Sequence, residues 1–199
     1  MSRWDILMMA LGMFSAAIAQ TTAAPVKIKI LVYDYTRLAS QPLSQSLEEA
    51  GRVFHKAGVE LEWCVGTAAS EECLAEKQRS GGPVLQLNLL DEKMAGPVLG
   101  ESKRFGIALR DVAYINVARA QNLAQEGRFE AKVVLGHVMA HELGHLLLGP
   151  NAHTRGSIMT ANLGVRELAD AQCGALRFNP KEAERMRERL GRQISRAAR

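Results

Sequence analysis

The chain has 199 residues, is 47% hydrophobic and 23% charged, and carries a net charge of +4. That balance excludes a disordered or collagen-like chain and fits one domain large enough to bury its own core. Lys181 to Arg199 holds seven basic residues against three acidic ones and so accounts for the whole charge excess; with no basic face interleaved with aromatics, nucleic-acid binding finds no support.

Residues 1–19 read as an export signal. Arg3 precedes an apolar run from Ile6 to Ile18, and Ala17-Ile18-Ala19 is a small-x-small site that places cleavage after Ala19. The run is shorter than the ~20 residues a membrane-spanning helix needs. A retained anchor is the alternative. The expected location is secreted or periplasmic, with no stable membrane insertion after cleavage. The expected organisation is a signal over 1–19, one domain over 20–178, and a basic C-terminal helix over 179–199.

Val26 to Val32 alternates and then runs apolar, which predicts a strand. Pro42 to Lys56 carries a helical stripe of Leu43, Leu47, Ala50, Val53 and Phe54, ended by Gly58. Val59 to Val65 and Val84 to Leu90 are the next strands, and Phe105 to Leu109 and Val112 to Val117 form a pair joined by a tight turn at Arg110-Asp111. In an exported protein Cys64 and Cys73 can close a small loop around the polar segment between them, expected to be flexible. Cys173 is left over, either buried and free or paired elsewhere. The longest helical pattern runs from Arg128 to Leu148 and is stopped by Gly149-Pro150. A last helix begins at Asn179-Pro180 and reads as a solvated tail. The fold class is α/β (α+β): a mixed twisted sheet of about five strands packed on two long helices, with a small C-terminal helical part.

Within the long helix, His141 and His145 stand four residues apart and so share one face. Two imidazoles at that spacing can reach one zinc ion at ~2.0–2.1 Å. Glu142, rotated by about 100°, is placed as a general base rather than a ligand. A catalytic zinc takes three protein ligands and keeps one position open. The chain can reverse at Gly149, and His153 is then the next nitrogen donor. Glu167 or Asp170 is the alternative third ligand, in a gluzincin-like arrangement. His137, one turn before His141, is too far along the helix to share a tetrahedral ion with both others and reads as structural. His55 reads as surface or core.

His141, Glu142, His145, Gly149 and His153, followed by Ser157-Ile158-Met159, resemble in kind and order the metzincin zinc metalloproteases, which share H-E-x-x-H-x-x-G-x-x-H and a downstream methionine turn. The spacing here is H-E-x-x-H-x-x-x-G-x-x-x-H, so the glycine comes one residue late and the third histidine two. The resemblance covers about twenty residues. It implies one catalytic Zn2+ held by His141, His145 and His153, with Glu142 as general base and Met159 in the methionine turn. It also implies a peptide or protein substrate lying along the strand near Phe105 to Leu109, with Thr160 to Val165 lining a side-chain pocket. The expected activity is a secreted zinc metalloendopeptidase. A non-catalytic exported domain with a structural zinc, and a zinc hydrolase of small amides or cell-wall peptides, are the other readings.

Overall fold

Strand β1 (Val26–Asp34) sets the layers. Ile28, Ile30 and Val32 join the main core on one face of the sheet, while Leu31 joins a smaller cluster with Cys64 and Val84 on the other. That split is the period-two geometry of a strand covered on both faces. The computed structural model describes residues 24–80, 83–100, 105–197 and 199. The signal expected over 1–19 lies outside the described residues.

After β1 come α1 (Ser40–His55), β2 (Val59–Val65), α2 (Thr67–Ser80) and β3 (Val84–Leu90). They are followed by α3 (Glu92–Leu99), β4 (Gly106–Leu109), β5 (Val112–Asn116) and α4 (Val117–Gly127). The chain ends with α5 (Ala131–Leu148), α6 (Val165–Gln172) and α7 (Pro180–Ala197). The five strands form one mixed sheet in the order β2-β1-β3-β5-β4. All neighbours are parallel except the β4–β5 hairpin, whose register pairs Gly106 with Ile115 and Leu109 with Val112. The hairpin turns at Arg110, which takes a positive φ of 54°. β4 is thus an antiparallel edge strand on an otherwise parallel sheet.

Helices α1 and α5 cover one face, with Leu47, Ala50, Phe54, Val134, Val138 and Leu143 in the core they share with Ile30 and Leu87. Fifteen residues of α5 are buried on all its sides, so it runs through the interior rather than over the surface. Helix α3 covers the opposite face near β4 and β5, packing Ala95 and Leu99 on Leu90, Ile107 and Tyr114. Among the described residues no helix is long and apolar enough to cross a membrane.

Several expectations change. The segment after Cys64 is not a flexible loop but the start of α2, and the Cys64–Cys73 disulfide ties that helix to β2. Ala, Glu, Lys, Gln and Arg dominate the segment, and these are good helix formers. The predicted helix over Arg128–Leu148 begins at Ala131, because Arg128 is the left-handed end of α4. Val117, read as the end of a strand, is the first residue of α4; the Asn116 side chain caps it by accepting from the Arg119 N–H at 3.0 Å. Cys173 is free but exposed rather than buried. His55 lies exposed at the end of α1.

Helix α7 is not a solvated tail. Ala183, Met186 and Leu190 belong to the main core, while Arg185 and Arg189 donate to the Leu148 and Leu147 carbonyls at 3.1 and 3.3 Å. Those carbonyls sit in the last turn of α5, where helix ends lack partners and cations are favoured. Met186 has no exposed surface, so Met186→Ala should cost about 2–4 kcal/mol. Urea unfolding would measure it, and a loss below about 0.5 kcal/mol, as expected for a surface position, would mean that α7 does not dock.

Candidate metal centre

Helix α5 carries His141 and His145 on its last two turns. The helix ends at Gly149, whose φ of 102° is open to glycine and strained for other residues. Its N–H bonds back to the His145 carbonyl at 2.8 Å. The chain then reverses, and the loop returns His153 to the two helical rings. A turn over 154–159, closed by the Thr154 N–H on the Met159 carbonyl at 2.8 Å, follows directly.

The three imidazoles converge. His145 Nε2 lies 3.1 Å from the Nε2 atoms of both His141 and His153. The His145 ring stands edge-on to both others at 82°, and the His141 and His153 rings are nearly parallel at 23° with centroids 5.6 Å apart. One donor atom from each of the three residues lies within 4.8 Å of the other two. Tetrahedral ligation at ~2.0–2.1 Å spaces its donors by roughly 3.3 Å.

Second partners fix which nitrogen faces the centre. His141 Nδ1 donates to the Ile158 carbonyl at 2.8 Å, and His145 Nδ1 donates to the Gly149 carbonyl at 3.1 Å. Both rings are therefore held with the Nδ1–H tautomer, and their Nε2 lone pairs point at each other. Protonation does not relieve the crowding near neutral pH. Burial pushes the His141 imidazole down to about 4, and the neighbouring His145 and His153 add to the effect against the Ile158 bond. Burial also lowers His145, reinforced by His153 and opposed by the Gly149 bond. Neutral lone pairs at this separation are a cation site, and the three-histidine donor set fits one zinc ion.

Glu142 is buried and lines the same cleft as the three histidines. The cleft has a volume of about 720 Å³. Its walls are β4, from Gly106 to Leu109, and the segment from Thr160 to Leu163. Val165, at 70% exposure, stands outside it. Apart from Glu142, no carboxylate, lysine or arginine lines this cleft among the described residues. Gly106 is pressed against the glutamate: a β-carbon there would lie 2.6 Å from Glu142 Cγ and 2.7 Å from the Tyr114 carbonyl.

Met159 is fully buried beneath α5, and a β-carbon on Gly144 would lie only 2.6 Å from its sulfur. Glu167 is placed elsewhere: its carboxylate accepts from the Gly164 N–H at 3.1 Å and caps α6. Neither it nor Asp170 belongs to the metal-capable cluster among the described residues. His137 is fully buried where α1 crosses α5, with Nδ1 bonded to the Val133 carbonyl at 2.9 Å and 3.5 Å from a Glu49 carboxylate oxygen. Burial is the main force lowering its pKa. The sequence gives no sign of the Ile158 and Gly149 carbonyls, since every residue has one, nor of the contact between Gly106 and Glu142.

No protein-family model matches this chain, and no curated protein matches it. Among solved structures, the chain is similar to a zinc-dependent peptidase from Methanocorpusculum labreanum, at 16% identity and a TM-score of 0.49, covering 80% of this chain and 99% of that one. It is also similar to archaemetzincin from Methanopyrus kandleri, at 16% identity and a TM-score of 0.49, covering 87% and 99%.

His141→Ala or His153→Ala should weaken zinc binding by more than about 100-fold, because a two-imidazole remnant leaves a structural or catalytic site incomplete. Glu167→Ala should leave zinc binding unchanged. Competition against a chromophoric chelator distinguishes the two; zinc lost from Glu167→Ala and kept by His153→Ala would reverse the assignment of the third ligand.

Proposed function

We propose that the chain is an exported, metzincin-like zinc metallopeptidase that cleaves peptide bonds within extended segments. One observation carries this reading: three imidazole donors and one buried carboxylate face a single open cleft whose wall is a sheet edge. His141, His145 and His153 would hold the ion. When bound, zinc supplies Lewis-acid polarisation of a carbonyl and lowers the pKa of water.

The protein's own groups do the rest. Glu142 accepts a proton on its carboxylate from the attacking water and delivers it to the departing amine nitrogen. The carbonyls of Ile158 and Gly149 keep the His141 and His145 rings in the ligating tautomer throughout. β4, the last strand in the sheet, offers backbone N–H and C=O groups along the cleft, so that an extended peptide can pair with it as a further strand. Thr160 to Leu163 form the facing wall and, with Val138, provide an uncharged pocket for a side chain next to the cleaved bond. Burial in this apolar cleft keeps Glu142 close to the reacting atoms and away from bulk water. The Cys64–Cys73 disulfide supports export, since such bonds persist in oxidising compartments.

A structural zinc domain would keep metal and function without Glu142; a peptidase does not. Glu142→Gln should bind zinc as tightly as the parent and lose roughly 10²–10⁴-fold in kcat/KM on a peptide library, the range expected for a lost general base. Full turnover in that variant, or none in the zinc-loaded parent, would rule the proposal out. Gly106→Ala tests the seat of the base. Its β-carbon displaces the Glu142 side chain, so kcat should fall at least about tenfold with zinc content retained, as small misplacements of catalytic groups do. Unchanged kcat would show that the glutamate does not depend on that contact.

A further inference from the structure

Ser157 and Glu182 are buried at 1% and 4% exposure, and the hydrolysis described above uses neither. Glu182 opens α7. Its Oε2 accepts from the Asn179 N–H at 2.8 Å, while the Asn179 side-chain oxygen accepts from the Glu182 N–H at 3.0 Å. This is a reciprocal cap, and it uses only one carboxylate oxygen. The other, Oε1, accepts from the Ser157 hydroxyl at 2.9 Å. The Thr154 carbonyl is a more distant acceptor at 3.4 Å, so the single hydroxyl proton goes to the nearer carboxyl oxygen. Ser157 Oγ in turn accepts from the Met159 N–H at 3.0 Å.

Ile158 lies between the two bonded residues. Its N–H donates to the Arg177 carbonyl at 3.0 Å, and its own carbonyl is the acceptor that orients His141. A helix cap alone needs no buried carboxyl group, since burying a polar group is costly and a cap works at the surface. The burial has a reason if the second oxygen holds the turn under the metal. We propose that Glu182 is a positioning residue of the metal centre: through Ser157 it fixes the 157–159 turn, and with it the Ile158 carbonyl that aims His141 Nε2. Partners of this kind tune ligands from outside the coordination sphere. The inference rests on the zinc reading of the three histidines.

Ser157→Ala leaves the Asn179–Glu182 cap in place and cuts the link; Glu182→Gln removes one acceptor. In the full-length mature protein, zinc affinity by chelator competition should fall about 10–100-fold for each, the range for such outer partners. The double variant should be about as weak as the worse single one, because the two act in series. The absorption bands of the cobalt-loaded protein should shift as His141 reorients. A side chain that only stabilised the fold would lower the unfolding midpoint of the metal-free protein and leave the affinity of folded molecules unchanged. Folded variants within about twofold of the parent affinity, with unshifted cobalt bands, would overturn the proposal, well short of the effect expected of an outer partner. If Glu182→Gln does not fold, Ser157→Ala decides alone. A parent protein that takes up no zinc would sink the metallopeptidase reading instead.

Discussion

Three imidazole nitrogens held about one ligand spacing apart are an unfavourable arrangement for neutral rings. The Nδ1–H bonds to the Ile158 and Gly149 carbonyls make it so, because they assign the lone pair of each helical ring to the shared centre. With both Nδ1 protons committed to those carbonyls, the part-buried His141 and His145 Nε2 atoms face each other at 3.1 Å with no proton between them to share. Protonation would supply one, but burial disfavours the charged form of His141. A divalent cation resolves the crowding, and the cost of assembling the rings is then met by ligation. The two carbonyls therefore matter as much as the spacing of the histidines.

The rest of the fold brings those carbonyls and rings to one place. α5 is buried on every side, so its final turns cannot shift without disturbing α1, the sheet and α7 together. Arg185 and Arg189 of α7 hold the last carbonyls of α5 from outside. Met159, packed against Gly144, fixes the distance between the helix and the turn beneath it. The centre opens into the cleft under β4. A rigid helix and a pinned turn thus face a sheet edge across that cleft, and the proposed peptidase activity would place its extended substrate there.

Some of this was legible in the residues and some was not. β1, β2, β3 and the β4–β5 hairpin stood out because alternation and turn residues are local signals. The end of α5 was equally plain from Gly149-Pro150. Helix α2 was missed because a polar stretch between two cysteines looks like a loop, although its composition favours a helix. Helices α3, α4 and α6 span 8, 11 and 8 residues, too few for a strong apolar stripe. In α3, Gly96 and Pro97 suggest a break, yet Asp91 caps the helix by accepting from the Met94 N–H. The docking of α7 was hidden by its charge: Met186 and Leu190 join the main core, while the seven basic residues around them mark the segment as solvated. At the centre, side-chain identity announces the histidines and the glutamate, whereas backbone acceptors and close approaches become visible only in three dimensions.

The loop between Gly149 and His153 shows why spacing alone does not decide a ligand set. Relative to the pattern it resembles, this chain has one more residue before the glycine and one more after it. The first insertion continues α5, and the added residue places Gly149 where its N–H closes on the His145 carbonyl and its own carbonyl meets His145 Nδ1. The helix end therefore orients one of the three converging rings as well as stopping the helix. The second insertion lengthens a surface loop, which costs little, because the entropy of closing a loop grows only slowly with its length. His153 still reaches the centre because the loop is anchored at both ends: at Gly149 on α5, and at Thr154, whose N–H is tied to the Met159 carbonyl. Bringing the third imidazole to the other two requires that the loop be held at both anchors, and two added residues leave both in place.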